Sequence, residues 1–359
     1  MQTSISQAIE RGLQFLAARQ MPSGQFPVER TLVQSDGATE TTPDISLFAT
    51  AHIAHSLGYL PHTPAREMLN HALQFFLDEM EGPGLWRHWG RADAGNRRFI
   101  PADLDDIASI SYLLCQHDLA FPDNRAIVRA NRNHTGLFYT WLILRPQPTL
   151  SRAWWRAVLS ELNLPRLTVF WRYTEAARGD VDAVVNANVL LYLGERDETR
   201  PVIAWLREII EQGKEANCDK WYRDSFTFYY AVSRAFASGV KSLGFAGAFC
   251  LARLAENIGP DGVIGENALH TALALNALRN FDLRPDFCAV AVGYLLRAQD
   301  DDGGWDSSAF YYGGPKRLAL WGSAELTTGL CLEALQPYAK LAPCDWSADS
   351  LVRNEPSGE

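Results

Sequence analysis

The 359-residue chain has no Cys-x-x-Cys pair. Its six cysteines, at positions 115, 218, 250, 288, 331 and 344, are scattered, and none has a Cys/His spacing suited to zinc. Most fall in apolar helical stretches, which predicts buried thiols in a reducing compartment. No run of Lys or Arg offsets the net charge of -9, so nucleic acid is excluded as a partner. The first residues, MQTSISQAIERGLQFLAARQ, lack a basic start followed by an apolar run and read as an amphipathic helix, not a signal peptide. No apolar run approaches the roughly 20 residues that span a bilayer. Together these absences predict a soluble, cytoplasmic protein and leave peripheral membrane contact open. Stretches that alternate with period two are few, which leaves little room for strands.

What is present is apolar and aromatic: 47% hydrophobic residues, 11% aromatic and eleven Trp, enough for a sizeable core. Most segments space their apolar residues as helices do, and they recur as a two-helix unit with a Gly- and aromatic-rich turn between a more charged first helix and a smoother second one. Six units can be placed. AIERGLQFLAARQ pairs with DISLFATAHIAHSL, and MLNHALQFFLDEM with DLDDIASISYLL. A less regular third unit runs through LFYTWLIL and SRAWWRAVLSEL to DVDAVVNANVLLYL. VIAWLREIIEQ pairs with DSFTFYYAVSRAF, AFCLARLAENI with ENALHTALALNAL, and CAVAVGYLLRAQ with SAELTTGLCLEAL. The second helices are predicted to start near Asp44, Asp103, Asp180, Asp224, Glu266 and Ser323.

One such hairpin cannot bury its apolar face alone, so neighbours stack. Six can close into a ring, with the smoother helices inside and a cavity at the ring's mouth. The predicted fold is therefore all-α, an (α/α)6 toroid over residues 1–340, with 341–359 as a partly disordered tail; an open solenoid is the alternative. Three turns, ARQMPSGQF, EMEGPGLW and RAQDDDGGW, share a further signature. In two of them a Gln precedes a Gly and then an aromatic: Gln20, Gly24 and Phe26, and Gln299, Gly303 and Trp305. A Gln at a helix end can satisfy free backbone groups, and the aromatic can clamp the next helix.

The stretch RRFIPADLDDIASISYLL places Asp103, Asp105 and Asp106 at the start of the second unit's inner helix. Asp is a good N-cap, and first-turn carboxylates gain about 0.3–1 kcal/mol each from the helix dipole. Capping accounts for one or two of them. Three, on a helix whose remainder is apolar, crowd like charges where burial also disfavours ionisation, so at least one pKa should rise.

The Gln-Gly-aromatic turns and the DLDD stretch resemble the squalene cyclase and prenyltransferase superfamily of alpha/alpha toroids, with its QW repeats and the DxDD motif of class II terpene cyclases. The resemblance covers nearly the whole chain. It departs from the family in length, since those cyclases usually join two toroids and this chain has room for one; a single-toroid cavity, a partner chain or a homodimer would have to close the pocket. The resemblance implies protonation-initiated cyclisation of a linear polyprenoid at an alkene or epoxide. Asp105 would be the donor, with Asp103 and Asp106 orienting it. It implies no redox cofactor and no catalytic metal, Mg²⁺ entering only for a diphosphate substrate. A carbocation would need aromatic faces. The candidates are Trp86, Trp89 and Phe99 before the acid motif, Phe226, Tyr229 and Tyr230 on an inner helix, and Trp305, Phe310, Tyr311 and Tyr312 near the last turn. Asp182 and Asn186, one turn apart, could line the cavity or bond neighbouring helix ends. The loop with Arg87, Arg91, Arg97 and Arg98 could meet a diphosphate or carboxylate head group, or be solvated.

Other functions fit a toroid. A glycosidase or lyase could use Asp105 and Asp182 as a carboxylate pair. Protein prenyl transfer would need zinc, for which Cys218-Asp219 is the one adjacent pair. A non-catalytic lipid- or protein-binding ring is the third reading. The segment SRAWWRAVLSELNLPRL reads as either an amphipathic docking patch or a buried face.

Overall fold

The computed structural model describes residues 4–339 except 35, 92–98 and 163. Among them are fourteen α-helices: α1 Ile5–Arg19, α2 Leu47–Leu57, α3 Thr63–Glu79, α4 Leu104–Gln116, α5 Arg125–Ala130, α6 Arg152–Ser160, α7 Leu164–Tyr173, α8 Ala183–Leu193, α9 Arg200–Glu211, α10 Ser225–Ala237, α11 Ala246–Ala255, α12 Ala268–Asn280, α13 Phe287–Arg297 and α14 Ala324–Leu335. Helices α2, α4, α8, α10, α12 and α14 pack each against the next, and α14 packs back against α2. The ring is closed, and the fold is an (α/α)6 toroid. Every residue of α2 and of α8 is buried, as an inner position requires. The outer helices bury one stripe only: α9 buries Val202, Ile203, Leu206, Ile209 and Ile210 at i, i+3, i+4 spacing.

The inner helices begin as single-residue caps dictate. Ser46, Asp103, Asp224, Asn267 and Ser323 each accept a backbone N–H of the first turn. Three of the six starts differ from the sequence expectation by two residues or fewer, Asp44, Asp180 and Glu266 giving way to Ser46, Asp182 and Asn267 as the residue before the helix.

The glycine turns fasten the ring. Gln20 Nε2 donates to Gly24 O and across to Met68 O of α3, at 2.9 and 2.8 Å. Gln299 Nε2 donates to Gly303 O and to Ala8 O of α1, at 2.9 and 2.8 Å. Gly303 has a φ of 93°, and a Cβ there would meet Arg11 O at 2.6 Å, so only glycine lets this turn press on α1.

A sheet absent from the sequence expectation lies over one end of the ring. Strands β1 (Pro27–Val33), β2 (Thr39–Ile45), β3 (Tyr311–Gly313) and β4 (Ala319–Gly322) are antiparallel in the order β2-β1-β4-β3. β1 and β2 are half-exposed and polar, without a buried alternating face, so period-two reading passes over them. LFYTWLIL is also extended where a helix was expected; Trp141 pairs with Asp103 as an isolated antiparallel bridge. Aromatic and Thr-containing runs this short fit either state, and pairing to the chain before α4 decides it. In the SRAWW segment α6 buries Trp154, Ala157 and Val158, while Leu159 and Leu162 remain exposed. No described helix is long and apolar enough to cross a membrane. The predicted tail, 341–359, lies outside the described residues.

Candidate active site

α4 starts where an extended segment ends. Leu104 N donates to Thr140 O at 2.8 Å and Leu142 N to Ala102 O at 2.9 Å, which holds Asp103 in an extended conformation. Asp103 Oδ1 then accepts Asp106 N at 2.9 Å. The capping reading of Asp103 is therefore correct. Because the helix is an inner one, the cap lies in the mouth of the ring, and Asp103, Asp105 and Asp106 are only 8%, 9% and 2% exposed.

Asp105 has its own partners. Its Oδ1 accepts Asn188 Nδ2 from α8 at 2.6 Å, and its Oδ2 accepts the Tyr222 hydroxyl. Burial, reinforced by the Asp103 charge, pushes its pKa up to about 7 against the pull of those two donors. The helix dipole favours the carboxylate by at most about 2 kcal/mol. A rise from 3.8 to about 7 amounts to about 4 kcal/mol the other way, so desolvation dominates. Asp106 is raised well above the ordinary range by burial and by Asp103, with which it shares a side-chain hydrogen bond; burial raises Asp103 too. At neutral pH the cluster holds protons.

All three carboxyl groups line one cavity of about 100 Å³. Its walls are apolar and aromatic: Phe48, Trp141, Phe170, Trp221, Tyr222, Tyr311, Tyr312 and Trp321, with Ile100 and Val185. Tyr311 and Trp321 pair across β3 and β4 and stack at 5.5 Å with an 8° tilt. Trp141 meets Trp221 edge-on at 5.5 Å and Phe170 at 5.0 Å. Strands β3 and β4 thus cover the acid end of the ring with side chains from the same chain.

Of the predicted site residues, Asp103, Asp105, Asp106, Tyr311 and Tyr312 line the cavity. The others do different work. Trp86 and Trp305 are fasteners: each indole N–H donates at 2.8 Å to the carbonyl ten residues before it, Phe76 O and Leu295 O. Trp89 donates to Asp44 Oδ1 at 3.0 Å, while Trp321 binds Asp44 Oδ2 at 2.8 Å, so Asp44 ties a cavity wall to the loop before α4. Phe99 packs 6.2 Å from Phe170, and Phe310 stacks 6.1 Å from Phe48; each backs a wall residue. Phe226 lies on His270 at 4.7 Å. Tyr229 donates to Glu215 at 2.7 Å and Tyr230 to Glu333 at 2.9 Å.

Asn186 accepts Phe138 N at 2.9 Å and donates to Phe138 O at 3.0 Å, fixing a loop to α8. Asp182 accepts Thr140 Oγ1 at 2.5 Å, Trp221 Nε1 at 3.1 Å and Lys220 N at 3.1 Å, so it positions two wall residues from outside the wall. Arg87 is buried between Glu81 and Glu161, both gripped bidentately at 2.7–3.1 Å, and also donates to Ile100 O; it is a clamp on the approach to Asp103, with no free face for a head group. Arg91 donates to Met80 O at 2.7 Å. Arg97 and Arg98 lie outside the described residues.

Asn188, Tyr222, Trp221, Trp141, Thr140 and Phe48 were not singled out from sequence. Asn188 carried a readable signal: a second Asn two residues after Asn186 in an otherwise apolar inner helix. Tyr222 and Trp221 sit in CDKWYRD, the aromatic loop before α10, which parallels the aromatic loop before α4. Cys218 donates its thiol to Glu215 O at 3.0 Å, and burial pushes the thiol's pKa up. Among the described residues no group of three His, Cys, Asp or Glu is arranged to hold a metal ion.

No family model and no curated protein matches the sequence. Solved structures do. A protein from Actinoplanes is 19% identical at a TM-score of 0.64, over 94% of this chain and 100% of that one. The type II terpene cyclase MstE from Scytonema is 17% identical at 0.66, over 94% and 99%. MstE variants have been crystallised with geranylgeranyl dihydroxybenzoate, its substrate, and with merosterolic acid A, its product. An unsaturated glucuronyl hydrolase specific for heparin is 10% identical at 0.52, over 94% and 97%. These likenesses show the fold: a helical toroid like that of a terpene cyclase, matched over 94% of this chain.

Proposed function

We propose that this protein is a class II-type terpenoid cyclase that protonates the terminal alkene or epoxide of a linear polyprenoid. The observation that carries the reading is Asp105: a carboxylic acid whose pKa burial lifts to about 7, on the wall of an aromatic cavity. The Asp105 O–H bond breaks and a C–H bond forms at the less substituted alkene carbon. The tertiary cation so formed is attacked in turn by internal alkenes, and a later proton loss ends the cascade. Asn188 and Tyr222 already donate to the Asp105 oxygens, so they stabilise the carboxylate that appears as the proton leaves, which strengthens the acid. Phe48, Trp141, Trp221, Tyr311 and Trp321 present π faces and edges and no nucleophile, which suits a carbocation. Water would capture that cation early, and side chains of β3 and β4 cover part of the mouth.

MstE supports the reading in two ways. It is a type II cyclase with a prenylated aromatic substrate, and it matches this chain over 99% of its own length. At the rim Arg223 lies 4.2 Å over the Tyr312 ring and donates to Arg317 O, a positive edge suited to a carboxylate or diphosphate head group. The proton transfer itself calls on no cofactor; Mg²⁺ enters only with a diphosphate. The glycosidase alternative fares worse, because the Asp182 carboxylate is engaged by three donors behind the wall and is not free to act as the second of a pair. Incubation with prenyl diphosphates, prenyl alcohols, squalene and prenylated aromatics should give cyclic product with the wild type, and at least about 100-fold less with Asp105→Asn. Turnover of an oligosaccharide with none of any polyprenoid would overturn the reading.

A further inference from the structure

Behind the aromatic wall lies a second buried polar cluster that proton transfer from Asp105 does not use. Tyr230 and Arg234 share a face of α10 at i, i+4. The Arg234 guanidinium is 5.4 Å from the centre of the Tyr230 ring, and the His52 ring, from α2, is 6.3 Å from it. Arg234 is 3% exposed and makes no ion pair among the described residues; among these its Nε and Nη1 find no acceptor, and neither ring nitrogen of His52 has a partner. The nearby carboxylate is engaged: Glu333 accepts Arg279 at 2.6 Å, Ser56 at 2.8 Å and Tyr230 at 2.9 Å. Burial and the Arg234 charge hold His52 and His55 well below the ordinary histidine range, so both are neutral. Two guanidinium groups against one carboxylate leave a single positive charge in the interior, and arginine keeps its proton in proteins.

We propose that Arg234 and His52 form a binding site for one small monovalent anion such as chloride. The charge count sets the valence. Water could satisfy the N–H groups but would leave the charge uncompensated. The two Arg234 N–H groups and the one N–H of neutral His52 supply the donors. The position gives the site a consequence that rests on the cyclase reading: His52 meets Phe48, a cavity-wall residue, edge-on at 4.5 Å. A carbocation in the cavity would face an uncompensated guanidinium behind the Phe48 and His52 rings, and the bound anion removes that repulsion.

The test is made without substrate. Thermal unfolding of the wild type is followed in chloride, bromide and gluconate at fixed ionic strength, and crystals are grown in bromide. The expected results are a saturable rise of Tm with halide and not with gluconate, and an anomalous bromide peak within hydrogen-bond reach of Arg234 Nε. Arg234→Met should lose the halide response and, in gluconate, be at least as stable as the wild type. A wild-type Tm indifferent to halide, or a bromide map with no peak beside Arg234, overturns the site whether or not the variant folds. Halide binding in a protein that cyclises no polyprenoid would leave the site standing and sink the cyclase reading.

Discussion

The side-chain amide of Asn188 on α8 donates to Oδ1 of Asp105 on α4 at 2.6 Å, so two neighbouring inner helices are joined through the acid itself. The bond favours the carboxylate. Replacing Asn188 by Leu should raise the Asp105 pKa further and weaken it as a donor. A hydrogen bond to a charged group is worth about 1.5–3 kcal/mol, so kcat should fall by about 10- to 100-fold with KM little changed. The alkaline limb of the pH–rate profile should move to higher pH. Tyr222→Phe should act in the same direction. A lower kcat with an unmoved pH limb would mean that Asn188 only packs.

Asp105 also makes stability depend on pH. Its folded pKa, about 7, lies above the unfolded value of 3.8. The stabilisation is fully present below the unfolded value and is lost as pH rises through the folded one, because the unfolded chain releases a proton that the native state retains. Asp105→Asn removes that loss. It should match the wild type near pH 4 and exceed it at pH 8, by at most about 4 kcal/mol. Urea midpoints at the two pH values check this; a variant destabilised equally at both would contradict the buried-acid account.

Arg87 lies between two buried carboxylates and donates to Ile100 O just before the acid motif. Arg87→Met leaves Glu81 and Glu161 without their cation, which should cost about 3–5 kcal/mol of stability. If instead the variant keeps its stability and loses only affinity for an anionic substrate, Arg87 is a head-group ligand after all.

Trp305→Phe keeps most of the bulk and removes the N–H donated to Leu295 O. It should cost about 1–3 kcal/mol and leave kcat per folded molecule nearly unchanged. A selective fall in kcat would return Trp305 to the cation-stabilising set.

The ring was legible in the sequence because its cause is local and repeated. Six smooth helices alternating with six striped ones can bury their faces only by stacking, and the glycine at Gly303 marks a turn that no other residue could make against Arg11. The buried carboxyl cluster was legible for a similar reason: three aspartates at one helix start exceed what capping needs. The cavity wall was not. Tyr222 approaches Asp105 from 117 residues away, and Trp321 joins Tyr311 only through the β3–β4 pairing. Such contacts follow from ring closure and carry no local period. The aromatics that looked most suggestive misled for the same reason: Trp86 and Trp305 stand beside glycine turns because they fasten those turns, a role that composition alone does not separate from lining a pocket.

The most direct test of Asp105 as the proton donor is cyclisation of an alkene-terminated polyprenoid in D₂O. The account predicts one deuterium per product molecule, on the carbon that was the terminal alkene's protonation site, and no product from Asp105→Asn. Cyclic product without deuterium at that carbon, or labelled product formed by the variant at the wild-type rate, would contradict it.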